Sequence, residues 1–291
     1  MCENWLKMNA EKHFVSWEQA VEWLRQQPDQ AQLVRDCYYD NPLTVSVERY
    51  RKSLEWQSIK PWLPESGGKA LDVGAGRGIA SYALAKQGFA VTSLEPDPSD
   101  TVGAGAIKGL ASETGLPITV VENFSESLPF DDDSFDVVFA RAVLHHSQDL
   151  EAACREFFRV LKPDGLFIAI REHVISVEED LPRFLEIHPL HNLYGGEHAY
   201  LLERYLSAIE QSGLILKQVL LPWYSPVNYG PSNLPAMKNE IARRVGRGIA
   251  PVSRLIGFLL DLPGAWEIVR FLMTKIDNRP GRLYSFIAVK S

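Results

Sequence analysis

Between residues 69 and 170, short apolar runs alternate with helical stretches, and this alternation restricts the fold more than any other feature of the chain. Strands that alternate with helices of roughly 10 to 15 residues form a parallel sheet with helices on both faces. Right-handed crossovers then produce a doubly wound α/β fold. The predicted strands of this region are KALDV, FAVTSLEP, PITVVEN, FDVVFAR and LFIAI.

The alternation is lost after Arg171, and two further strands, ILKQVLL and RLYSFIAVK, are predicted beyond it. Insertions at the carboxyl ends of parallel strands usually cover the ligand, so we expect the remaining segments to form a helical cap. The predicted division of the chain is an N-terminal helical lid (1–64), a cofactor-binding α/β core (65–171), a substrate loop with a core helix and strand (172–221), a helical cap insertion (222–280) and a final strand (281–291).

The composition is that of an ordinary globular protein, because 46% of the 291 residues are hydrophobic and 23% are charged. A formal net charge of −7 argues against nucleic acid as a partner. Three scattered cysteines, Cys2, Cys37 and Cys154, are too few for a disulfide framework. The N-terminus lacks a signal-like segment, and no apolar run reaches the roughly 18 residues of a spanning helix. We therefore expect a cytoplasmic protein.

A glycine-rich turn, LDVGAGRG (71–78), follows the first predicted strand. A dinucleotide-binding turn would place its third glycine at position 79, which holds Ile79, and a Walker loop would need Gly-Lys-Ser/Thr. The turn instead reads Asp72-x-Gly74-x-Gly76-x-Gly78. An acid before the turn repels a phosphate and attracts an ammonium group. Asp72, Gly74 and Gly76 are therefore predicted to bind the cationic end of a ligand.

A second acid, Glu95, directly follows the predicted strand FAVTSL. A carboxylate there can accept hydrogen bonds from both hydroxyls of a ribose that lies across the strand ends. A ligand with a ribose, an amino-acid end and no phosphate is S-adenosyl-L-methionine. The sequence therefore predicts S-adenosyl-L-methionine as the cofactor.

At these residues the chain resembles the class I S-adenosylmethionine-dependent methyltransferases, in particular their small-molecule, type 11-like branch. The similar segments, which together cover about 65–171, are LDVGAGRG for the first motif, SLEPD for the ribose-binding strand end, ESLPFDDDSFDVVFARAVLHH for the adenine loop and fourth strand, and RVLKPDG for the turn before the fifth strand. The resemblance implies a Rossmann-like, seven-stranded, mostly parallel sheet whose last strand, RLYSFIAVK, runs antiparallel. It also implies methyl transfer to a small or medium-sized metabolite.

The resemblance further implies where the rest of the cofactor lies. The acid that often contacts adenine in the family is missing, and its position falls near Phe124. We predict that Asn123, Phe124 and Ser125 contact the adenine, with the Phe124 ring stacking on it or enclosing it. Arg141, at the tip of the fourth strand, is predicted to lie beside the methionine part.

Six of the seven histidines lie between positions 145 and 198. Methyl transfer is an in-line displacement, and a hydroxyl acceptor also needs a base that removes its proton. His145, His146 and His191 are the predicted catalytic residues, because histidine titrates near neutral pH. The abundance of candidate bases favours an oxygen acceptor. A role of His145 and His146 in shaping the cofactor site is the alternative.

The segment HPLHNLYGGEH (188–198) is the predicted acceptor site. The predicted substrate-contacting residues are His188, Tyr194, His198 and Tyr200. Histidine and carboxylate at this spacing can also bind zinc or iron. Because its proline and paired glycines indicate a loop, and no four-ligand spacing is present, we predict no metal.

A basic stretch, Lys238 to Arg254, precedes an apolar run that reaches Met273. One interpretation is a solvated helix face that packs on the core. The other is a basic, apolar-backed surface (238–273) that meets an anionic or lipid-linked substrate or a membrane.

Two functions other than methyl transfer remain compatible with the sequence. A nicotinamide-dependent oxidoreductase has a similar sheet, although Ile79 and Asp72 argue against it. A non-catalytic module that binds S-adenosylmethionine would keep the same glycine turn.

Overall fold

The strands of this chain join one sheet in the structure, a computed structural model that describes residues 16–188, 190–229 and 234–291. They are β1 (Gly68–Val73), β2 (Phe89–Leu94), β3 (Ile118–Val121), β4 (Phe135–Arg141), β5 (Leu161–Ile175), β6 (Tyr200–Leu201), β7 (Leu214–Leu220) and β8 (Arg282–Lys290). The order is β3-β2-β1-β4-β5-β8-β7, with β6 paired to β5. Among the described strands, β8 runs antiparallel to both of its neighbours, β5 and β7, and all the other strand pairs are parallel. The predicted seven-stranded, mostly parallel fold is confirmed, since β6 adds only two residues.

Helices cover the sheet and extend beyond it. In the described part of the chain the α-helices are α1 (Trp17–Arg25), α2 (Ala31–Asp36), α3 (Leu43–Arg51), α4 (Leu54–Ile59), α5 (Ile79–Lys86), α6 (Ala104–Thr114), α7 (Leu150–Val160), α8 (Leu181–Ile187), α9 (His191–Tyr194), α10 (Leu202–Gln211), α11 (Leu234–Val245), α12 (Ala250–Leu260) and α13 (Ala265–Ile276). The helices α1, α4 and α7 have capped N-termini. The side chains of the capping residues Ser16, Ser53 and Asp149 accept hydrogen bonds from backbone N–H groups of the first helical turn.

Apolar side chains pack on both faces of the sheet. On one face Phe157 and Tyr205, from α7 and α10, pack with Phe286 of β8. On the other face Trp56 of α4 packs against Phe139 of β4. Burial on both faces explains why the central strands read as continuous apolar runs. Polar ligand-binding groups are consequently left to the strand ends.

Strand β5 is longer than the sequence predicts. The prediction placed the strand at LFIAI (166–170), after a turn at RVLKPDG (159–165), whereas the strand runs from Leu161 to Ile175. The pairing of β5 with β8 shifts between Ala169 and Glu172, where Arg171 has a φ of 62°. A bulge of this kind re-aims the side chains that follow it. It brings Glu172 and His173 into the candidate site.

The N-terminal helices and the 188–196 segment meet beside the carboxyl ends of the parallel strands. Val21 and Leu24 of α1 share a small core with Val102, which follows β2, and with Leu193 of α9. Residues 1–15 of the predicted lid, including Cys2, lie outside the described residues. Cys37 and Cys154 are free thiols.

Helices α11, α12 and α13 form an insertion between β7 and β8. Within it Lys238 pairs with Asp261, and Leu260 and Trp266 are buried, while many other large apolar side chains are exposed. Among the described residues, none of the helices combines the length and the apolar character needed to cross a bilayer.

Candidate active site

The glycine turn between β1 and α5 depends on left-handed backbone conformations. Gly74, Gly76 and Gly78 have φ angles of 58°, 54° and 79°, which glycine adopts without a steric penalty. A Cβ atom on Gly74 would lie 2.6 Å from Cγ2 of Val143, whereas no described atom lies closer than 3.8 Å to the Cβ position of Gly76. The turn therefore presents bare backbone, and at Gly76 its nearest described neighbours, the carbonyl oxygen of Val102 and the ring of Trp17, lie at van der Waals distance.

Two carboxylates lie next to this turn. Glu95 accepts hydrogen bonds from the backbone N–H groups of Gly76 at 2.6 Å and Asp97 at 3.0 Å. Asp72, only 1% exposed, accepts one from the hydroxyl of Ser81. Burial raises the pKa of the Glu95 carboxyl above its ordinary value and raises the pKa of Asp72 to about 7. Both carboxylates are thus partly deprived of the solvation that stabilises their charge.

The two carboxylates fit the cationic, phosphate-free cofactor that the sequence predicts. In the described structure neither Asp72 nor Glu95 forms an ion pair, and their bonds come from uncharged donors. An ammonium group beside them would offset the cost of burying their charge, whereas a phosphate would add a further negative charge. Ribose hydroxyls can donate to Glu95.

Arg141 ends β4 and is held in a buried ion pair. Its Nε and Nη2 atoms donate to Glu55 at 2.6 and 3.2 Å, and Arg171 reaches the same carboxylate at 3.2 Å. Burial alone would raise the pKa of Glu55, but the two guanidinium groups lower it. The Arg141 guanidinium also lies 5.6 Å from the ring centre of Tyr38 and 5.3 Å from that of Tyr50. Its contact with the methionine part of the cofactor stays a prediction.

The predicted adenine segment follows β3. The Phe124 side chain is 65% exposed, and its N–H donates to the side chain of Asn123. Ser125 is buried and donates to Glu126 at 3.2 Å. The exposed Phe124 ring has a face available for stacking, and the adenine contacts remain predictions.

Trp17 connects the two halves of the site. Its ring lies 3.9 Å from the Cβ position of Gly76. The same ring stacks on Tyr194 with a centroid separation of 6.0 Å, and its Nε1 atom donates to the hydroxyl of Tyr39. Tyr194 in turn donates to Glu197 at 3.2 Å. One residue of the lid thus covers the glycine turn and contacts the predicted acceptor segment.

Glu197 lies at the centre of a group of imidazoles that we call the histidine cluster: His145, His146, His173 and His188. The Oε2 atom of Glu197 is 3.6 Å from Nε2 of His145 and 3.7 Å from Nε2 of His146. Its Oε1 atom is 3.9 Å from Nδ1 of His188. The ring of His173 lies 4.7 Å from that of His145 and 5.3 Å from that of His188. The fold therefore brings together residues from four separate segments.

A second carboxylate, Glu172, contacts the cluster at His145. Its Oε2 atom is 2.7 Å from Nδ1 of His145, and its two oxygens also accept the N–H groups of Val143 and His145. Burial alone would lower the pKa of His145, but Glu172 and Glu197 outweigh it and raise that pKa to about 9. Burial and the neighbouring His145 lower the pKa of His146.

Three predicted site residues lie outside the histidine cluster. The backbone N–H of His191 donates to Nδ1 of His188, but His191 itself has no described contact with Glu197. His198 packs on the ring of Tyr200 at 4.4 Å, and the Tyr200 hydroxyl donates to the carbonyl of Ser147. The structure thus brings His145, His146, His188 and Tyr194 together around Glu197 and leaves the other three at its margin.

The predicted site residues did not include Trp17, Glu172 or His173, and Glu197 was included only as the carboxylate of the 188–198 segment. Glu172 and His173 interrupt an apolar run that continues as a strand, and a charged residue inside a buried strand is a signal that could have indicated them. Nothing in the local sequence marks Trp17, because its role depends on where α1 packs.

The chain matches a family model at the same residues that form the cofactor side of the site. Residues 71–169 match the model described as a methyltransferase domain. The uncharacterized methyltransferase YcgJ of Bacillus subtilis is 30% identical over 208 residues, which make up 65% of this chain and 76% of YcgJ. The chain belongs to the class I S-adenosylmethionine-dependent methyltransferases. S-adenosylmethionine is therefore its methyl donor, and the nicotinamide-dependent and non-catalytic alternatives are excluded.

Two further proteins resemble this methyltransferase. The ubiquinone biosynthesis O-methyltransferase of Methylobacterium nodulans is 36% identical over 142 residues, 48% of this chain and 56% of that enzyme. The structure of geranyl diphosphate C-methyltransferase from Streptomyces coelicolor, solved with S-adenosyl-L-homocysteine, superposes with a TM-score of 0.56 at 13% identity and covers 86% of this chain and 77% of its own. At that identity the likeness concerns the fold alone.

Proposed function

We propose that this methyltransferase transfers a methyl group to a hydroxyl group of a small or medium-sized metabolite, with His146 as the base. The observation that carries the proposal is the position of Trp17, which lies against the glycine turn and stacks on Tyr194 beside Glu197. An acceptor bound among the histidines would therefore share one lid with the cofactor. That arrangement suits a direct transfer between two ligands enclosed together.

His146 is the best-placed proton acceptor of the histidine cluster. Its Nδ1 atom lies 3.0 Å from the carbonyl oxygen of Gly196. Because a carbonyl only accepts, Nδ1 carries the hydrogen and Nε2 keeps a free electron pair. The side chain is 38% exposed, compared with 1% for His145 and 16% for His188. A hydroxyl group can therefore approach Nε2 of His146.

The reaction requires alignment and removal of one proton. Bound S-adenosylmethionine supplies a methyl group that its positive sulfur already activates. The acceptor oxygen forms the new bond to carbon as the carbon–sulfur bond breaks, and the hydroxyl proton passes to Nε2 of His146. Glu197, 3.7 Å away, stabilises the imidazolium that forms. Trp17 and Tyr194 limit the access of water.

The names of two relatives agree with methyl transfer but differ in the acceptor atom. One relative is a ubiquinone biosynthesis O-methyltransferase, and another, 27% identical over 172 residues, is a ubiquinone/menaquinone biosynthesis C-methyltransferase. The choice of oxygen therefore depends on His146.

The test is the variant His146→Asn, assayed with a panel of phenols, sugars and quinols whose products are identified by mass. We expect kcat to fall by roughly 100- to 10,000-fold, the usual contribution of a general base. The Kd for S-adenosyl-L-homocysteine should change less than about threefold, since His146 lies outside the ribose and methionine contacts. Glu113→Ala, an exposed change on α6, is the control and should keep the wild-type rate. Full activity of His146→Asn, or products methylated only on nitrogen or carbon, would refute the proposal.

We further propose that the acceptor is lipid-linked and that the insertion formed by α11–α13 meets a membrane surface. Large apolar side chains that are each at least 40% exposed follow one another along this segment: Val245, Ile249, Val252, Leu255, Phe258, Leu259, Leu262, Ile268, Phe271, Leu272 and Ile276. Spacings of three and four residues place many of them on common helix faces. We call these side chains the apolar face.

The charges around the apolar face favour an anionic surface. Seven basic and three acidic residues lie between positions 234 and 276, although the whole chain has a net charge of −7. Arg247 and Arg254 are exposed and lie next to apolar-face residues. Basic residues that border an apolar helix face are typical of helices that lie in a membrane interface.

Sedimentation with vesicles of phosphatidylcholine, with and without phosphatidylglycerol, tests the membrane proposal. The double variant Leu255→Glu/Phe258→Glu should bind the anionic vesicles at least tenfold more weakly, since each buried apolar side chain contributes about 1.5 to 3 kcal/mol. Val177→Glu, on another exposed apolar residue, is the control and should bind like the wild type. Equal binding of the double variant, or no binding by the wild type, would contradict the proposal.

A further inference from the structure

We propose that the histidine cluster binds one divalent transition-metal ion through His145, His173 and Glu197. One potential ligand atom from each of these residues lies within 4.8 Å of the other two. Two imidazoles and one carboxylate form the donor set of many zinc and non-haem iron sites that keep positions open for a substrate. The ligands come from three segments: the turn after β4, the bulged part of β5 and the loop before β6.

Both histidines are held in the way that metal ligands are usually held. Nδ1 of His145 is 2.7 Å from Oε2 of Glu172, and Nδ1 of His173 is 3.1 Å from the carbonyl oxygen of Gly281. A hydrogen-bond acceptor beside Nδ1 fixes the hydrogen on that nitrogen, and Nε2 is then free to serve as the ligand atom. Carboxylates and backbone carbonyls occupy this supporting position behind most metal-binding histidines.

The distance between His145 and Glu197 is compatible with a metal ion between them. Nε2 of His145 lies 3.6 Å from Oε2 of Glu197, which is too long for a hydrogen bond. Metal–ligand bonds of about 2.0 to 2.2 Å place two ligand atoms roughly 3 to 3.5 Å apart around the ion. The observed separation is close to that range.

The surroundings of Glu197 strengthen this argument. Besides His145, its carboxylate faces Nε2 of His146 at 3.7 Å and Nδ1 of His188 at 3.9 Å. None of these three nitrogens is within hydrogen-bond distance, although all of them surround one buried carboxylate. A metal ion held by Glu197 would lie among these nitrogens. His188 is placed to serve as a further ligand.

The inference rests on the proposed function only for the role of the ion, not for its binding. Coordination positions on the side of the ion that faces His146 would be open to the hydroxyl group of the methyl acceptor. A divalent ion acts there as a Lewis acid that lowers the pKa of a bound hydroxyl group. The hydroxyl proton would then pass more readily to His146, and no other reactant is required.

The experiment is a cobalt(II) titration of the full chain after treatment with a chelator and removal of any histidine tag. We expect the wild type to bind one Co²⁺ per chain, with visible absorption bands that Zn²⁺ displaces. Glu197→Gln keeps the shape of the side chain but removes its charge, and it should weaken Co²⁺ binding at least about 100-fold. His198→Asn is the matched control, because His198 packs on Tyr200 outside the cluster. It should bind Co²⁺ within threefold of the wild type.

Calorimetry with S-adenosyl-L-homocysteine shows whether each variant is folded. If the wild type binds no Co²⁺ at micromolar concentration, or if Glu197→Gln binds as tightly as the wild type, a proton occupies the cluster and the metal inference is overturned. These outcomes are separate from those that test methyl transfer. Transfer that persists in a metal-free protein refutes only the role of the ion in the reaction, whereas full activity of His146→Asn refutes the proposed base alone.

Discussion

The two sides of the candidate site meet at one edge of the sheet but are built in different ways. On the cofactor side, Gly76 and Glu95 belong to one continuous unit of strand, turn, helix and strand, and the ligand-facing groups are backbone and carboxylate. On the histidine side, His145, His173 and Glu197 come from segments that are distant in sequence. The cofactor side presents bare backbone at its glycines, whereas the histidine side is crowded with side chains.

This difference indicates which part of the enzyme is common to the family and which part is its own. The matched family model covers residues 71–169 and ends before His173 and Glu197. The cofactor side therefore lies within the common methyltransferase domain. We infer that the histidine side, which lies largely beyond it, selects the acceptor. Variants that change only one side test whether the two sides act independently.

The largest effect is expected for Glu95→Ala on the cofactor side. The change removes the predicted acceptor of both ribose hydroxyls and releases the N–H of Gly76. Hydrogen bonds to a charged group contribute about 1.5 to 3 kcal/mol each, so the Kd for S-adenosyl-L-homocysteine should rise by roughly 100-fold or more. Burial raises the pKa of Glu95, which means that its charge is unfavourable in the folded state. The free energy of unfolding of Glu95→Ala should therefore change much less than its free energy of S-adenosyl-L-homocysteine binding.

Calorimetry checks this prediction, with the exposed Glu113→Ala on α6 as the control. Binding of Co²⁺ by Glu95→Ala should stay normal, since Glu95 does not contact the histidine cluster. A Kd within threefold of the wild type would refute the ribose assignment, and a parallel loss of Co²⁺ binding would show that the two sides are not independent.

The cofactor side could be predicted from the sequence because its parts are local. An apolar run, three glycines and two acids occur in the order in which they meet in space. The histidine side could be predicted only in part. His145, His146 and the 188–198 segment were recognisable, but the approach of His173 to Glu197 depends on how β5 pairs with β6 and β8. Spacing within one segment does not contain that information.

The length of β5 shows the same limit. The alternation of strands and helices is lost after Arg171, so the sequence pattern did not extend the strand to the charged residues after Ile170. The fold accommodates them through the bulge at Arg171 and through partners such as His145 for Glu172. A buried charge is satisfied by residues that are distant in sequence, so its burial cannot be predicted from its neighbours.

A smaller effect on both sides is expected for Trp17→Ala, because Trp17 is the residue that joins them. Loss of the stack on Tyr194 and of the cover over Gly76 should weaken S-adenosyl-L-homocysteine binding by about tenfold, since an aromatic pair contributes about 0.5 to 1.5 kcal/mol beyond its buried area. Trp17→Phe keeps an aromatic ring for the stack on Tyr194 but loses the bond to Tyr39 and the outer ring atom that lies over Gly76, so its binding should fall between those of the wild type and Trp17→Ala. If Trp17→Ala binds normally, the lid does not connect the two sides.

The smallest effect concerns Asp72 and the pH dependence of stability in the absence of ligands. Burial raises the pKa of Asp72 to about 7, above the value of about 3.9 expected in the unfolded chain. The folded state therefore binds the proton more tightly, and the stability that this contributes is lost as the pH rises from about 4 to 7. Asp72→Asn cannot titrate, so the free energy of unfolding should fall less between pH 5 and pH 8 than in the wild type, by an amount on the order of 1 kcal/mol. Urea denaturation at the two pH values measures this difference. If the free energy of unfolding changes equally between pH 5 and pH 8 in the two proteins, Asp72 stays ionised. In that case the Ser81 hydrogen bond alone would suffice to keep a buried charge, and the cofactor side would need no cation to complete it.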